Sequence, residues 1–89
     1  MRVLLHRAAE KYLNRLNATD RGRIEDAIEG LEKEPPKGDI TPLTGEHGRF
    51  RVRVGNFRLL YRISDNVILV THIEPRGQAY TKKNKGNKR

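Results

Sequence analysis

Gly48–Arg62, GRFRVRVGNFRLLYR, alternates arginine with apolar residues up to a Gly55-Asn56 pair and continues with arginines among apolar residues beyond it. A two-residue Gly-Asn loop between two such runs signals a β-hairpin. It pairs Val54 with Phe57, Arg53 with Arg58, Val52 with Leu59, Arg51 with Leu60 and Arg49 with Arg62. Strand side chains alternate between faces, so Phe50, Val52, Val54, Phe57, Leu59 and Tyr61 share the face suited to a core, and Arg49, Arg51, Arg53, Arg58 and Arg62 share the other. A sheet with one solvated face gives such alternation by itself, but it does not account for the signs of the charges. The segment contains no acid, and like charges directly opposite one another destabilise a sheet. Arg53 opposite Arg58 therefore points to an anion as partner, with phosphate the first candidate.

The rest of the 89-residue chain bounds this reading. The length allows one domain with a modest core. With no cysteine there is neither a disulfide framework nor a thiolate metal site, and a cytoplasmic location is expected. The start, MRVLLHRAAEKY, has an apolar run too short for a signal peptide or a membrane span. The net charge of +8 is unevenly placed: residues 1–46 hold eight Lys/Arg against nine Asp/Glu, and residues 47–89 hold eleven against two. A basic field confined to one half favours a polyanion, because neutralising phosphates releases condensed counterions. An anionic membrane would call for an amphipathic helix, a pattern the basic half lacks.

The first half reads as scaffold. Arg2–His6 is a short strand candidate, after which Ala9, Tyr12, Leu13 and Leu16 form one apolar helical stripe and Ile24, Ala27, Ile28 and Leu31 a second. Thr19 or Asp20 is the expected N-cap between them, and Pro35-Pro36 closes the second helix. Tyr12 belongs to the core stripe, and Glu25, Asp26, Glu29, Glu32 and Glu34 to a solvated face, so no metal site is expected. The connection PPKGDITPLTGEHG is long for a loop in so small a domain, which predicts an anchor, with Ile40 and Leu43 tucked against the core. Glu46-His47 offers a carboxylate and an imidazole suited to acid/base work but reads first as a polar loop tip, and His6 and His72 read as structural, since neither has a companion at ligand spacing. Residues 67–73, VILVTHI, form a further strand, whose register and the face of His72 stay open between a two- and a three-residue loop. Lys82, Lys83, Lys85, Lys88 and Arg89 make a basic tail expected to be disordered, a tether beside a domain spanning residues 1–81.

The segment LTGEHGRFRVRVGNFRLLYRI and the closing PRGQAY, in an order of strand, two helices and three-stranded meander, resemble the RelE/ParE superfamily of toxins from type II toxin-antitoxin systems, the RelE branch above all. The resemblance runs from Met1 to about Tyr80. It implies an α+β fold: an N-terminal strand, two antiparallel helices and a three-stranded antiparallel meander, with the helices on one face of the sheet. It also implies ribosome-dependent cleavage of mRNA and a cognate antitoxin that binds the toxin and blocks it. By motif, Arg51, Arg53, Arg58, Arg76 and Tyr80 fall where the family has its catalytic residues, and Arg49, Arg62, Lys82 and Lys83 are the expected RNA-binding residues. No cofactor or metal is implied.

These residue types suit the chemistry. Attack of a 2′-hydroxyl on the adjacent phosphorus leaves a 2′,3′-cyclic phosphate and a 5′-hydroxyl, and guanidinium forks stabilise the charge that develops. Tyr80 suits stacking on an unpaired base or orienting the hydroxyl. Two departures from the family matter. Well-known members often have lysine at positions 51 and 53, whereas arginine does not give up its proton, so the general base is unassigned, with His47 and His72 as candidates. Pro75 stands where many members have histidine. Two other readings are a ParE-type toxin that inhibits DNA gyrase through protein contacts and a simple RNA-binding module, because fold alone does not choose among functions.

Overall fold

The structure, a computed structural model, describes residues 1–76. They form β1 (Arg2–Leu5), α1 (Arg7–Arg15), α2 (Ala18–Leu31), β2 (Asp39–Pro42), β3 (Arg49–Val54), β4 (Phe57–Ser64) and β5 (Val67–Pro75). The strands make one sheet in the order β1-β5-β4-β3-β2, in which β1 runs parallel to β5 and every other pair is antiparallel. The α+β architecture is the expected one, with one more strand. That strand, β2, lies within the connection read as a loop. Ile40 pairs with Val52 and packs on the core, as its anchoring role required. With four residues ending in Pro42, β2 has too little alternation to be read as a strand, and an edge position is where a proline is tolerated.

The helices cover one face, α1 over β5 and α2 against β3. Ile24, Leu31, Val52, Leu59, Ile68 and Val70 are fully buried there, each contributing roughly 1.5–3 kcal/mol relative to exposure. Tyr12 meets Phe57 edge-on with ring centroids 6.4 Å apart, and Tyr61 stacks on Phe50 at 5.2 Å, so both tyrosines serve the core. Helix α1 starts at His6, whose Nδ1 accepts from the Ala8 N–H at 3.2 Å. Helix α2 is capped by Asn17, whose Oδ1 accepts from the Asp20 N–H at 2.8 Å, two or three positions before the expected cap. Asn17 wins because its carboxamide reaches the third N–H of the helix while its own backbone stays extended. The chain then folds back across Gly30, where a Cβ would lie 2.8 Å from the Lys37 carbonyl oxygen. Among the described residues no helix is long and apolar enough to cross a membrane.

Both hairpins have two-residue loops. Gly55 has φ of 56° and Asn56 a negative φ, the pattern of a type II′ turn, and the β3–β4 register matches the expectation at every pair. Asp65 and Asn66 both have positive φ, 52° and 62°, as a type I′ turn requires, which settles the open loop length as two residues. A β-bulge then interrupts β5. Tyr61 pairs with Val70 but Leu60 pairs with His72, so Thr71 is the extra residue. Uninterrupted pairing would set His72 beside core-facing Leu59. The bulge instead gives Leu59 to Ile73 and turns His72 and Glu74 to the face away from the helices.

Candidate functional site

On that open face the register lines residues up in three rows across the strands. Asp39, Arg53, Arg58 and Glu74 form the row nearest the Gly55-Asn56 turn. Thr41, Arg51, Leu60 and His72 form the next, and Arg49, Arg62, Leu69 and Leu4 the third. All five hairpin arginines thus share one face.

The first row corrects the electrostatic expectation drawn from the hairpin alone. Arg58 opposes Arg53 as expected, but carboxylates bracket the pair: Arg58 Nε donates to Glu74 Oε2 at 2.6 Å, and Arg53 Nε lies 4.0 Å from Asp39 Oδ2. The like-charge opposition is therefore compensated within the protein and does not by itself call for an outside anion. Neither acid was visible as a partner in the sequence, since one needs the β5 bulge and the other needs β2. The Arg58–Glu74 pair is partly buried, with side chains 21% and 35% exposed. Its short charged hydrogen bond fixes the guanidinium in place.

Arg76 joins this end of the sheet. Its backbone N–H donates to the Asn56 carbonyl at 2.7 Å and its Nη1 to the Gly55 carbonyl at 2.8 Å, so it is pinned beside the turn with Arg53 and Arg58 nearby in register. Arg51, in the central row, has its Nε buried without a hydrogen-bond partner among the described residues. Such an orphaned donor is costly unless an acceptor reaches it. Arg49 sits 3.6 Å from Glu46, with both side chains about half exposed, and Arg62 makes no ion pair among the described residues. The surplus positive charge thus lies in the second and third rows. Tyr80, Lys82 and Lys83 fall outside the described residues.

Beside the third row is a cleft of about 320 Å³ lined by His6, Ala8, Arg49, Arg62, Thr71 and His72. No sequence motif marks it, because it gathers the start of α1, the β5 bulge and the far end of the β3–β4 hairpin. His47 is exposed and does not line it. Among the described residues no three His, Cys, Asp or Glu side chains gather as metal ligands. Burial raises the pKa of Tyr61, and burial followed by the Glu74 and Asp20 charges raises that of Tyr12, so both phenols stay neutral.

Residues 3–80 match the family described as ParE toxin of type II toxin-antitoxin system, parDE. The chain belongs to the RelE/ParE superfamily of toxins. A protein named putative toxin RelE1 from Methanocaldococcus jannaschii is 32% identical over 83 residues, covering 88% of this chain and 92% of its own length. Among solved structures, a chain of the archaeal RelE-RelB complex from Pyrococcus horikoshii OT3 superposes with a TM-score of 0.74 at 31% identity, over 86% of this chain and 96% of that one. The isolated E. coli RelE toxin shares the fold, with a TM-score of 0.72 at 19% identity over 94% and 95% of the two chains. The two archaeal relatives set this RelE-like toxin in the RelE branch.

Proposed function

We propose that this RelE-like toxin is a ribosome-dependent mRNA endoribonuclease that cleaves without a metal ion and so inhibits translation. The observation that carries the reading is the convergence of Arg53, Arg58 and Arg76 at the turn end of an open face that also presents Arg51 with an orphaned Nε. Attack of a 2′-hydroxyl on phosphorus adds negative charge to the phosphate oxygens, and guanidinium groups held by neighbours meet that charge without reorganising. Glu74 and the Gly55 carbonyl do the holding for Arg58 and Arg76. Arg49 and Arg62 extend the positive track for the RNA backbone, Tyr80 stacks on a base, and Lys82 and Lys83 act as an electrostatic tether in a tail beyond a single domain of residues 1–81.

The RelE-RelB complexes of Pyrococcus horikoshii and Methanococcus jannaschii support a cognate antitoxin for this chain as well. Its acidic or apolar segment would lie across the helices or the basic face. The matched family description also favours a second reading, a ParE-type toxin acting on DNA gyrase. Primer extension on a message translated in the presence of the purified toxin separates the two: the first reading expects cleavage only with ribosomes, unaffected by EDTA once polyamines keep the ribosomes intact. Intact message together with loss of gyrase supercoiling activity selects the second.

A further inference from the structure

An arginine site lacks a proton acceptor, because guanidinium stays charged at any physiological pH. The cleft beside the third row supplies one. Thr71 Oγ1 donates its proton to the Leu60 carbonyl at 3.2 Å, so towards the His72 Nδ1 at 3.0 Å it has only lone pairs to offer. His72 must then donate through Nδ1–H, which in the neutral ring leaves the lone pair on Nε2. His6 is fixed in the opposite sense: its Nδ1 accepts from the Ala8 N–H, so Nε2 carries the proton and is a donor. One imidazole that accepts, one that donates and two arginines therefore line the same cleft.

Resting on the RNA-cleavage reading, we propose that His72 is the proton acceptor of the site. Its pairing partner Leu60 lies between Arg58 and Arg62 on β4, each two residues away, so His72 stands about 7 Å along the sheet from the row of each arginine. RNA crossing the open face meets the clamp of Arg53, Arg58 and Arg76 on one side of His72 and Arg49 with Arg62 on the other. The neighbouring phosphate held in the cleft by Arg62, Arg49 and the His6 Nε2–H sets the 2′-hydroxyl over His72. His72 Nε2 takes the hydroxyl proton as the 2′-oxygen bonds to phosphorus, the bond from phosphorus to the 5′-oxygen breaks, and that oxygen takes a proton from water. The products are a 2′,3′-cyclic phosphate and a 5′-hydroxyl, and the imidazolium returns its proton to solvent. Thr71 is a positioning residue that sets the tautomer. The exposed His47, which does not line the cleft, has no such role.

Single-turnover cleavage at saturating ribosomes tests the assignment. His72→Gln and His72→Ala should each lose about 10²–10⁴-fold in rate while ribosome affinity changes little, and added imidazole should restore part of the His72→Ala activity. Thr71→Val should lose less, and Thr71→Ser should recover it. Independently of activity, nitrogen NMR of the free protein should show neutral His72 protonated on Nδ1. A His72→Gln rate within threefold of the parent, or a His72 protonated on Nε2, overturns the assignment while leaving the RNA-cleavage reading intact. A parent protein that leaves ribosome-bound message whole overturns both.

Discussion

The partly buried Arg58–Glu74 pair makes stability and activity separable at one site. Arg58→Ala removes a 2.6 Å charged hydrogen bond and leaves Glu74, 35% exposed, without that partner. Hydrogen bonds to charged groups contribute about 1.5–3 kcal/mol. Removing the opposition to Arg53 returns about 0.2–1 kcal/mol, so the net cost should be about 1–2 kcal/mol. For a domain of this size that lowers Tm by roughly 5–15 °C. From the hairpin alone the same substitution would be expected to leave stability unchanged or slightly improved, and Glu74 reverses the sign. Glu74→Ala should cost as much or more, since Arg58 then faces Arg53 without that carboxylate beside it, and the double variant should lose less than the sum of the two. Urea unfolding measures all three. Activity should divide them differently: Arg58→Ala should slow single-turnover cleavage of ribosome-bound message by about 10²-fold, whereas Glu74→Ala, which keeps the guanidinium, should stay within about tenfold of the parent. Equal losses of both stability and activity in the two single variants would mean that Arg58 serves only the fold, and the reasoning would fail.

Three further outcomes are expected. Gly22→Ala, where a Cβ meets nothing within 4 Å, should stabilise α2 by about 0.5–1 kcal/mol, but Gly30→Ala should destabilise by about 1–3 kcal/mol because its Cβ would press on the Lys37 carbonyl; thermal melts of both variants check the contrast. Removing residues from Lys82 onward should weaken RNA binding and make its salt dependence shallower, by about 0.7 in log–log slope for each phosphate that the tail no longer neutralises, with cleavage chemistry surviving at saturating ribosomes. Tyr12 and Tyr61 have folded-state pKa values above their unfolded ones, so the stability they contribute is complete below the unfolded tyrosine pKa and is lost as pH rises through the folded values. Tyrosinate absorbance of the native protein should accordingly lag that of the denatured chain at alkaline pH.

The hairpin was legible because every signal in it agreed: a period of two, a Gly-Asn loop and apolar residues on one face gave the register of Arg49–Val54 against Phe57–Arg62 without error. The helical stripes were legible for the same reason. What sequence did not disclose was pairing that depends on distant geometry. Asp39 could not be read as the neighbour of Arg53 without β2, a strand of four residues with a proline at its end. Glu74 and His72 could not be assigned a face because a bulge inserts one residue and reverses every side chain after it. Both the Glu74 carboxylate that balances Arg58 and the proposed base His72 reach the open face through that one bulge. The motif did place Arg53, Arg58 and Arg76 at one end of the sheet, where the structure groups them at the turn, although the repulsion between the first two is offset by Asp39 and Glu74.

The most direct test is single-turnover cleavage of a ribosome-bound message by the parent toxin and by the variant carrying Arg53→Ala, Arg58→Ala and Arg76→Ala together. The parent should give fragments ending in a 2′,3′-cyclic phosphate, equally with and without EDTA, and the triple variant, checked for folding by circular dichroism, should give no cleavage above background. Cleavage by the folded triple variant at a rate near that of the parent would contradict the arginine site.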